Sequence, residues 1–418
     1  MSLTGPIFLG GIIFLTLAAF VGVIIVWPRL TPDTPWHVAG RAGALALVNL
    51  LVLLTAAAQL NASYLFFASW ADLHGAMTGQ LAQTSLHRGG VERKAPEIPV
   101  VGHAAPVALD PPPLERPVGS SRLVKYTVHG AISGLTGTVL VHLPPGYRSV
   151  GQERYPVLEA FHGYPSAPHS WIKNFHIQRF TDQLTRAHQL RPTLIVMPRV
   201  EFPSGVDTEG VNGPPGLPQV ETWLTRDVPD WVGQHFRVVP NRDAWATIGD
   251  SSGGYIAAMA TIHHPAQYSA AIVLGGYFRP DFSPFYQPFT PHSARGHYYE
   301  LARTVAHHPP PVSLWMETSH ADVLSYSSSA QFLRATREPT AVHAVVLQNA
   351  GHRDPVWVAL EPAALRWLGR NVAGFRPPGA LTALPELSGH SRKAGGQQRP
   401  SDQVVPRTVG MVTVRGHE

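Results

Sequence analysis

Two long uncharged runs open the chain, and shorter apolar runs alternate with amphipathic stretches through its middle. Residues 6–27 hold no charge and are dominated by Ile, Leu, Val, Phe, Ala and Gly. A helix that crosses a bilayer needs about 20 such residues. A second uncharged stretch, 42–71, is most apolar over 44–58 and closes with Tyr64, Phe66, Phe67 and Trp70, an interfacial aromatic belt. The pattern predicts two transmembrane helices, about 6–27 and 43–67, within an anchor of residues 1–83; the alternatives are a cleaved signal peptide for the first run, which lacks a basic start, and a buried core helix for the second, which Asn49, Gln59 and Asn61 interrupt. The loop between them carries Arg29, Arg41 and one acid, Asp33, while no Lys or Arg precedes the first run. Positive-inside logic therefore puts that loop in the cytoplasm and the chain after the second span outside the cell membrane.

From 84 to 120 the chain is rich in Pro, Ala and Val and lacks helical periodicity, so it reads as an extended linker. Beyond it, strand-like runs at 124–130, 137–143, 155–161, 193–198, 245–248, 270–276, 312–317 and 341–347 are interleaved with helical patterns at 171–189, 221–236 and 357–368. That alternation predicts one α/β domain over 121–372, a mostly parallel central sheet flanked by helices. Residues 373–418 turn to Gly, Pro, Ser and basic side chains and read as a disordered tail.

Composition narrows the chemistry. There are 0 cysteines in 418 residues, which excludes disulfides, thiolate metal sites and a cysteine nucleophile. The net charge of +5 is small for this length and no dense basic run occurs, so nucleic acid is not an expected partner. His162 has no second ligand at metal-binding spacing, and the pairs His263-His264 and His307-His308 are adjacent, so their side chains diverge. No metal or other cofactor is expected.

Gly249-Asp250-Ser251-Ser252-Gly253-Gly254 follows an apolar strand pattern and precedes a small-residue helical one. This is the G-x-S-x-G arrangement, in which a serine sits on a turn too sharp for side chains at the flanking glycines. Ser251 has glycine at minus two and plus two, whereas Ser252 has Asp250 at minus two, so Ser251 is the candidate nucleophile. The Ser252 N–H would then point into an oxyanion hole, with a second donor from the His162-Gly163-Tyr164-Pro165 turn: Tyr164 first, Gly163 next. A serine hydroxyl needs a base, and the base needs an orienting acid. On such elbows the chain order is serine, acid, histidine. His352, on the loop after the last strand pattern, is the candidate base. Asp322, deeper in its loop, is favoured as the acid over Glu317 at the strand end.

These stretches together resemble the esterase D-like α/β-hydrolases, which include bacterial feruloyl and enterochelin esterases and the mycolyltransferases of mycobacteria. The resemblance covers roughly 121–370 and rests on Leu143-Pro144-Pro145-Gly146-Tyr147, Tyr155-Pro156-Val157-Leu158 leading to His162-Gly163, and Ile195-Val196-Met197-Pro198. It continues with the elbow, His264-Pro265 with Tyr268, and Gly351-His352 followed by Trp357 and Leu360. It implies an α/β-hydrolase fold with Ser251 as nucleophile and His352 as base. Asp250, Ser252 and Arg353 depart from the residues many members carry beside the serine and histidine. An Asp250 carboxylate facing the pocket would disfavour anionic acyl donors. The two spans ahead of the domain are similar to membrane-anchored actinobacterial members.

The leading expectation is a membrane-anchored serine esterase acting on a small-molecule, lipid or glycan ester through an acyl-enzyme. An acyltransferase of the mycolyltransferase kind, passing the acyl group to a sugar or lipid hydroxyl, has the same elbow. A non-catalytic envelope scaffold of the same fold is the third reading.

Overall fold

A computed structural model of the protein describes residues 3, 5–30, 34–64, 67, 70, 73–74, 122–283, 286–347, 350–378 and 411–414. The linker expected over 84–120 and most of the expected tail lie outside the described residues. At the N-terminus, α1 (Pro6–Val26) and α2 (Pro35–Tyr64) pack against one another. Both are long and apolar enough to cross a membrane: the segments Pro6–Leu30 and Pro35–Ala62 each hold an 18-residue window, of mean hydropathy 2.7 and 2.0 respectively. Inside the pair, the hydroxyls of Thr16 and Thr55 meet at 2.8 Å, and Thr16 also donates to the Ile12 carbonyl. The second helix starts well ahead of the expected residue 43. Thr34 caps it and Pro35 occupies its first turn, so helical hydrogen bonding begins before the apolar run does.

The rest is an α/β unit. Its strands are β1 (Arg122–His129), β2 (Thr136–Leu143), β3 (Val157–Phe161), β4 (Leu194–Pro198), β5 (Trp245–Asp250), β6 (Ala270–Leu274), β7 (Ser313–Ser319), β8 (Ala341–Leu347) and β9 (Met411–Val414). They form one sheet in the order β1-β2-β4-β3-β5-β6-β7-β8-β9. β1 and β2 pair antiparallel, as do β2 and β4, and every later pairing is parallel. Every residue of β3, β4, β5, β6 and β7 is buried. A parallel strand covered by helices on both faces needs such a continuous apolar run.

The two faces carry separate cores. One gathers Val139, Val141, Trp223, Tyr255, Tyr268, Phe278 and Phe332; the other gathers Leu158, Trp171, Phe175, Ile272, Trp315, Trp357 and Phe375. Gly249 and Gly253 explain the joint between β5 and the Ser252–His263 helix. A Cβ on Gly249 would lie 1.9 Å from the Gly253 carbonyl oxygen, and one on Gly253 would lie 2.1 Å from that of Phe161. Only hydrogen fits at either position, so strand and helix approach closely enough to hold Ser251 at the apex.

Several boundaries differ from the sequence pattern. The helix expected over 171–189 is two helices, Ser170–Lys173 and Ile177–Arg186, broken where His176 takes φ 57°. Short helices at Ala294–Tyr298 and Leu301–His307 had too few residues to show periodicity. The chain after 372 departs from the expected tail in two places. Phe375 is fully buried and its carbonyl accepts from the Arg191 N–H at 2.9 Å, and Met411–Val414 adds a parallel strand to β8. Composition registers average polarity, and a single buried aromatic or a four-residue edge strand does not change that average.

Candidate active site

The elements converge at the C-terminal ends of the parallel strands. Ser251 follows β5 with φ 54° and ψ −122°, a region that costs a non-glycine residue ~1–3 kcal/mol. Its N–H donates to the Leu274 carbonyl of β6 at 2.9 Å, while its own carbonyl accepts from the Gly254 N–H at 2.9 Å. These bonds hold the strained apex and leave the hydroxyl pointing outward. Ser251 Oγ lies 2.8 Å from His352 Nε2, and His352 Nδ1 lies 2.8 Å from Asp322 Oδ2. Residues 101 and 30 positions apart in sequence thus form one hydrogen-bonded chain.

Asp322 is only 3% exposed, yet its carboxyl is held below the usual range. Burial pushes it up, but hydrogen bonds from His352 and Ser325 and the His352 charge outweigh that. Ser325 Oγ donates to Oδ2 at 2.7 Å, and the N–H groups of Leu324 and Ser325 donate to Oδ1 at 3.1 and 3.3 Å. The imidazole is fixed from the side as well, where the Trp357 ring meets it edge-on at 4.8 Å.

Glu317, the alternative acid, faces elsewhere. Its Oε2 accepts the Gly275 N–H at 3.1 Å and it takes a further hydrogen bond from Trp357. Burial raises its pKa to about 8, with the Asp322 charge adding to the shift. A carboxyl that is protonated at neutral pH and turned toward β6 is poorly suited to orient His352.

Ser252 is the first residue of a 12-residue helix, so its N–H has no acceptor within that helix and sits at the positive end of the dipole. In this structure the Tyr164 N–H donates to Ser252 Oγ at 3.0 Å. The Gly163 N–H is engaged by Asp250 Oδ1 at 3.2 Å, which leaves Gly163 without a free donor for a substrate. Asp250 is 6% exposed, and burial raises its pKa to about 8. It is therefore a neutral acid packed behind Gly163, and the expected repulsion of anionic acyl donors does not arise. Glu361, fully buried nearby, is raised as well by burial and by Asp250.

His162 precedes the turn and lines a cavity of about 310 Å³ with Lys125, His169, Arg199 and Glu201. Burial lowers its pKa to about 4, so the ring is neutral. Among the described residues no three His, Asp or Glu side chains converge to hold a metal ion. The sequence reading gave no role to Ser325, which donates to the candidate acid, or to Trp357, whose ring packs against the candidate base. A serine three residues after a candidate acid is the signal that was present for the first.

Residues 133–363, more than half of the chain, match the family described as Putative esterase. A 144-residue stretch is 27% identical to an uncharacterized protein of Corynebacterium glutamicum, covering 33% of this chain and 32% of that protein. The chain thus spans about a third of the length of that curated relative. Among solved structures, a ferulic acid esterase is similar with a TM-score of 0.52 at 18% identity, over 61% of this chain and 100% of that one. An S-formylglutathione hydrolase from Agrobacterium tumefaciens gives 0.51 at 16% identity, over 61% and 96% of the two chains. At such identities the likeness concerns the fold. The family match over most of the α/β unit decides the class: this chain belongs to the putative esterase family.

Proposed function

We propose that this protein is a membrane-anchored serine esterase that hydrolyses carboxylic esters through an acyl-enzyme on Ser251. The observation that carries the reading is the unbroken chain Ser251 Oγ, His352, Asp322, with both links at 2.8 Å. Ser251 Oγ attacks the ester carbonyl while His352 Nε2 takes its proton. Asp322 accepts the Nδ1–H, holding the required tautomer and balancing the imidazolium. The oxyanion is received by the Ser252 N–H and by the Tyr164 N–H, which exchanges the Ser252 hydroxyl for the more negative oxygen. Each such donor is typically worth ~3–4 kcal/mol in the transition state. His352 returns the proton to the departing alcohol, and water repeats the sequence in reverse to free the acid.

The helices α1 and α2 support the anchor, since their apolar residues are turned outward: Phe14 is 74% exposed and Leu53 68%. Arg29 and Arg41 lie at the hairpin's closed end, which favours the cytoplasm for that end and the outer side of the cell membrane for the esterase unit.

The test is fluorophosphonate labelling of the full-length protein in detergent beside its Ser251→Ala variant, followed by hydrolysis of 4-methylumbelliferyl acetate. Labelling and turnover in the parent, both lost in the variant, are expected. A well-folded parent that neither labels nor hydrolyses the ester would sink the proposal. Adding glycerol to the assay and resolving free acid from glyceryl ester measures how far acyl transfer competes with hydrolysis.

A further inference from the structure

The end of the membrane hairpin touches the loop that carries His352. In the last turn of α2, the Asn61 side chain closes on the backbone of Phe67: its Nδ2 donates to the Phe67 carbonyl at 3.0 Å and its Oδ1 accepts the Phe67 N–H at 2.7 Å. That pair of bonds ties the Phe67 backbone to the last turn of α2. The Arg353 guanidinium carbon lies 5.2 Å from the centroid of that ring, within the range of a cation–π contact. Arg353 is 6% exposed and directly follows His352, whose Nε2 is 2.8 Å from Ser251 Oγ. Nearby in sequence, Trp70 meets Phe8 of α1 edge-on at 5.2 Å, so both open ends of the hairpin lie on this side.

The rim of the site has matching character. Val323, beside Asp322, is 67% exposed, and Tyr164, in the turn after β3, is 39% exposed. Both stand on loops at the C-terminal edge of the sheet, where Ser251 also stands.

We propose that the Phe67–Arg353 contact docks the mouth of the Ser251 site on the membrane surface, so that the enzyme takes the ester carbonyls of amphiphiles that remain in the bilayer. The proposal rests on the esterase reading above and names the substrate class of that same site. Phe67 is a positioning residue: it touches neither substrate carbonyl nor Ser251, and acts by holding the site against the lipid. The bilayer then orders the substrate, and its acyl chain need not pass through water.

The absence of cysteines makes the contact directly testable. The full chain, carrying Phe67→Cys and Arg353→Cys and a protease site within 84–120, is reconstituted in phosphatidylcholine–phosphatidylglycerol vesicles and treated with a short bismaleimide. Anchor and esterase fragments that stay joined after proteolysis on a denaturing gel are expected, and fragments that separate overturn the dock. In parallel, Phe67→Ala is compared with the parent on vesicle-embedded 4-methylumbelliferyl oleate and on soluble 4-methylumbelliferyl acetate. The expected result is a loss of about tenfold or more on the oleate with acetate turnover unchanged, and recovery in Phe67→Trp. Equal losses on both esters would make the contact a brace for the His352 loop, and no loss on either would make it idle; each overturns the proposal. A double-cysteine chain that cross-links, beside a cysteine-free parent that neither labels with fluorophosphonate nor cleaves acetate, overturns it through the esterase reading, and the retained cross-link identifies that case.

Discussion

On the proposed triad, replacing Asp322 by asparagine changes one heavy atom and, through the hydrogen bonds around it, should invert the tautomer of His352. Asp322 Oδ1 accepts two backbone N–H groups, from Leu324 and Ser325, which an amide oxygen can satisfy and an amide nitrogen cannot. The asparagine therefore keeps its oxygen there and turns its NH2 to the place of Oδ2, 2.8 Å from His352 Nδ1. An NH2 facing Nδ1 requires that nitrogen to be bare, so the ring proton moves to Nε2, the atom facing Ser251 Oγ at 2.8 Å. The base is then blocked by its own proton, although the geometry is preserved. In a serine–histidine–aspartate system an inverted tautomer costs ~10⁴ in kcat, about 5.5 kcal/mol. Glu317→Gln is the control. The Glu317 carboxyl, raised to about 8, is already neutral at pH 7, and glutamine keeps the acceptor for the Gly275 N–H. Its kcat/KM should fall by no more than about threefold. The assay is kcat/KM for 4-methylumbelliferyl acetate with full-length protein in detergent, with melting temperatures recorded to show folding. An Asp322→Asn rate within about tenfold of the parent, or a Glu317→Gln loss near 10³, would refute the assignment of the acid.

Two further predictions concern stability. Gly249→Ala puts a methyl group 1.9 Å from the Gly253 carbonyl oxygen, so strand and helix must part; a fall in Tm of ~6 °C or more, or loss of soluble protein, is expected by thermal unfolding. A change under ~2 °C would show that the joint is looser than its glycines imply. Glu159 is fully buried and accepts the Tyr268 hydroxyl at 2.7 Å; burial, partly offset by that bond, raises its pKa to about 8. A carboxyl raised in the folded state contributes stability that is complete below its unfolded pKa of ~4.3 and is lost as pH rises through about 8. The Tm of Glu159→Gln relative to the parent should therefore be more favourable near pH 9 than near pH 5, measured by scanning fluorimetry. An equal difference at both would show that Glu159 does not titrate in that window.

The class of this protein is legible in its sequence alone, because the signals for it are local. A span needs only a run of apolar residues, and residues 6–27 supply one. A buried parallel strand needs a short apolar run, and Thr193 to Pro198 or Ala270 to Leu274 is readable for that reason. The elbow is equally local, since steric exclusion at Gly249 and Gly253 leaves a mark within five residues. Chain order singled out His352 and preferred Asp322 to Glu317, but distance and protonation were out of its reach. Those depend on neighbours far along the chain: the Gly275 N–H that engages Glu317, and Gly163, which stands against Asp250. Burial then set the charge, making Asp250 and Glu317 neutral acids while hydrogen bonds kept Asp322 ionised. The meeting of Phe67 with Arg353 joins residues 286 positions apart and leaves no trace in either local pattern. Desolvation and long-range contact are properties of the folded chain, and they come into being only when it closes on itself.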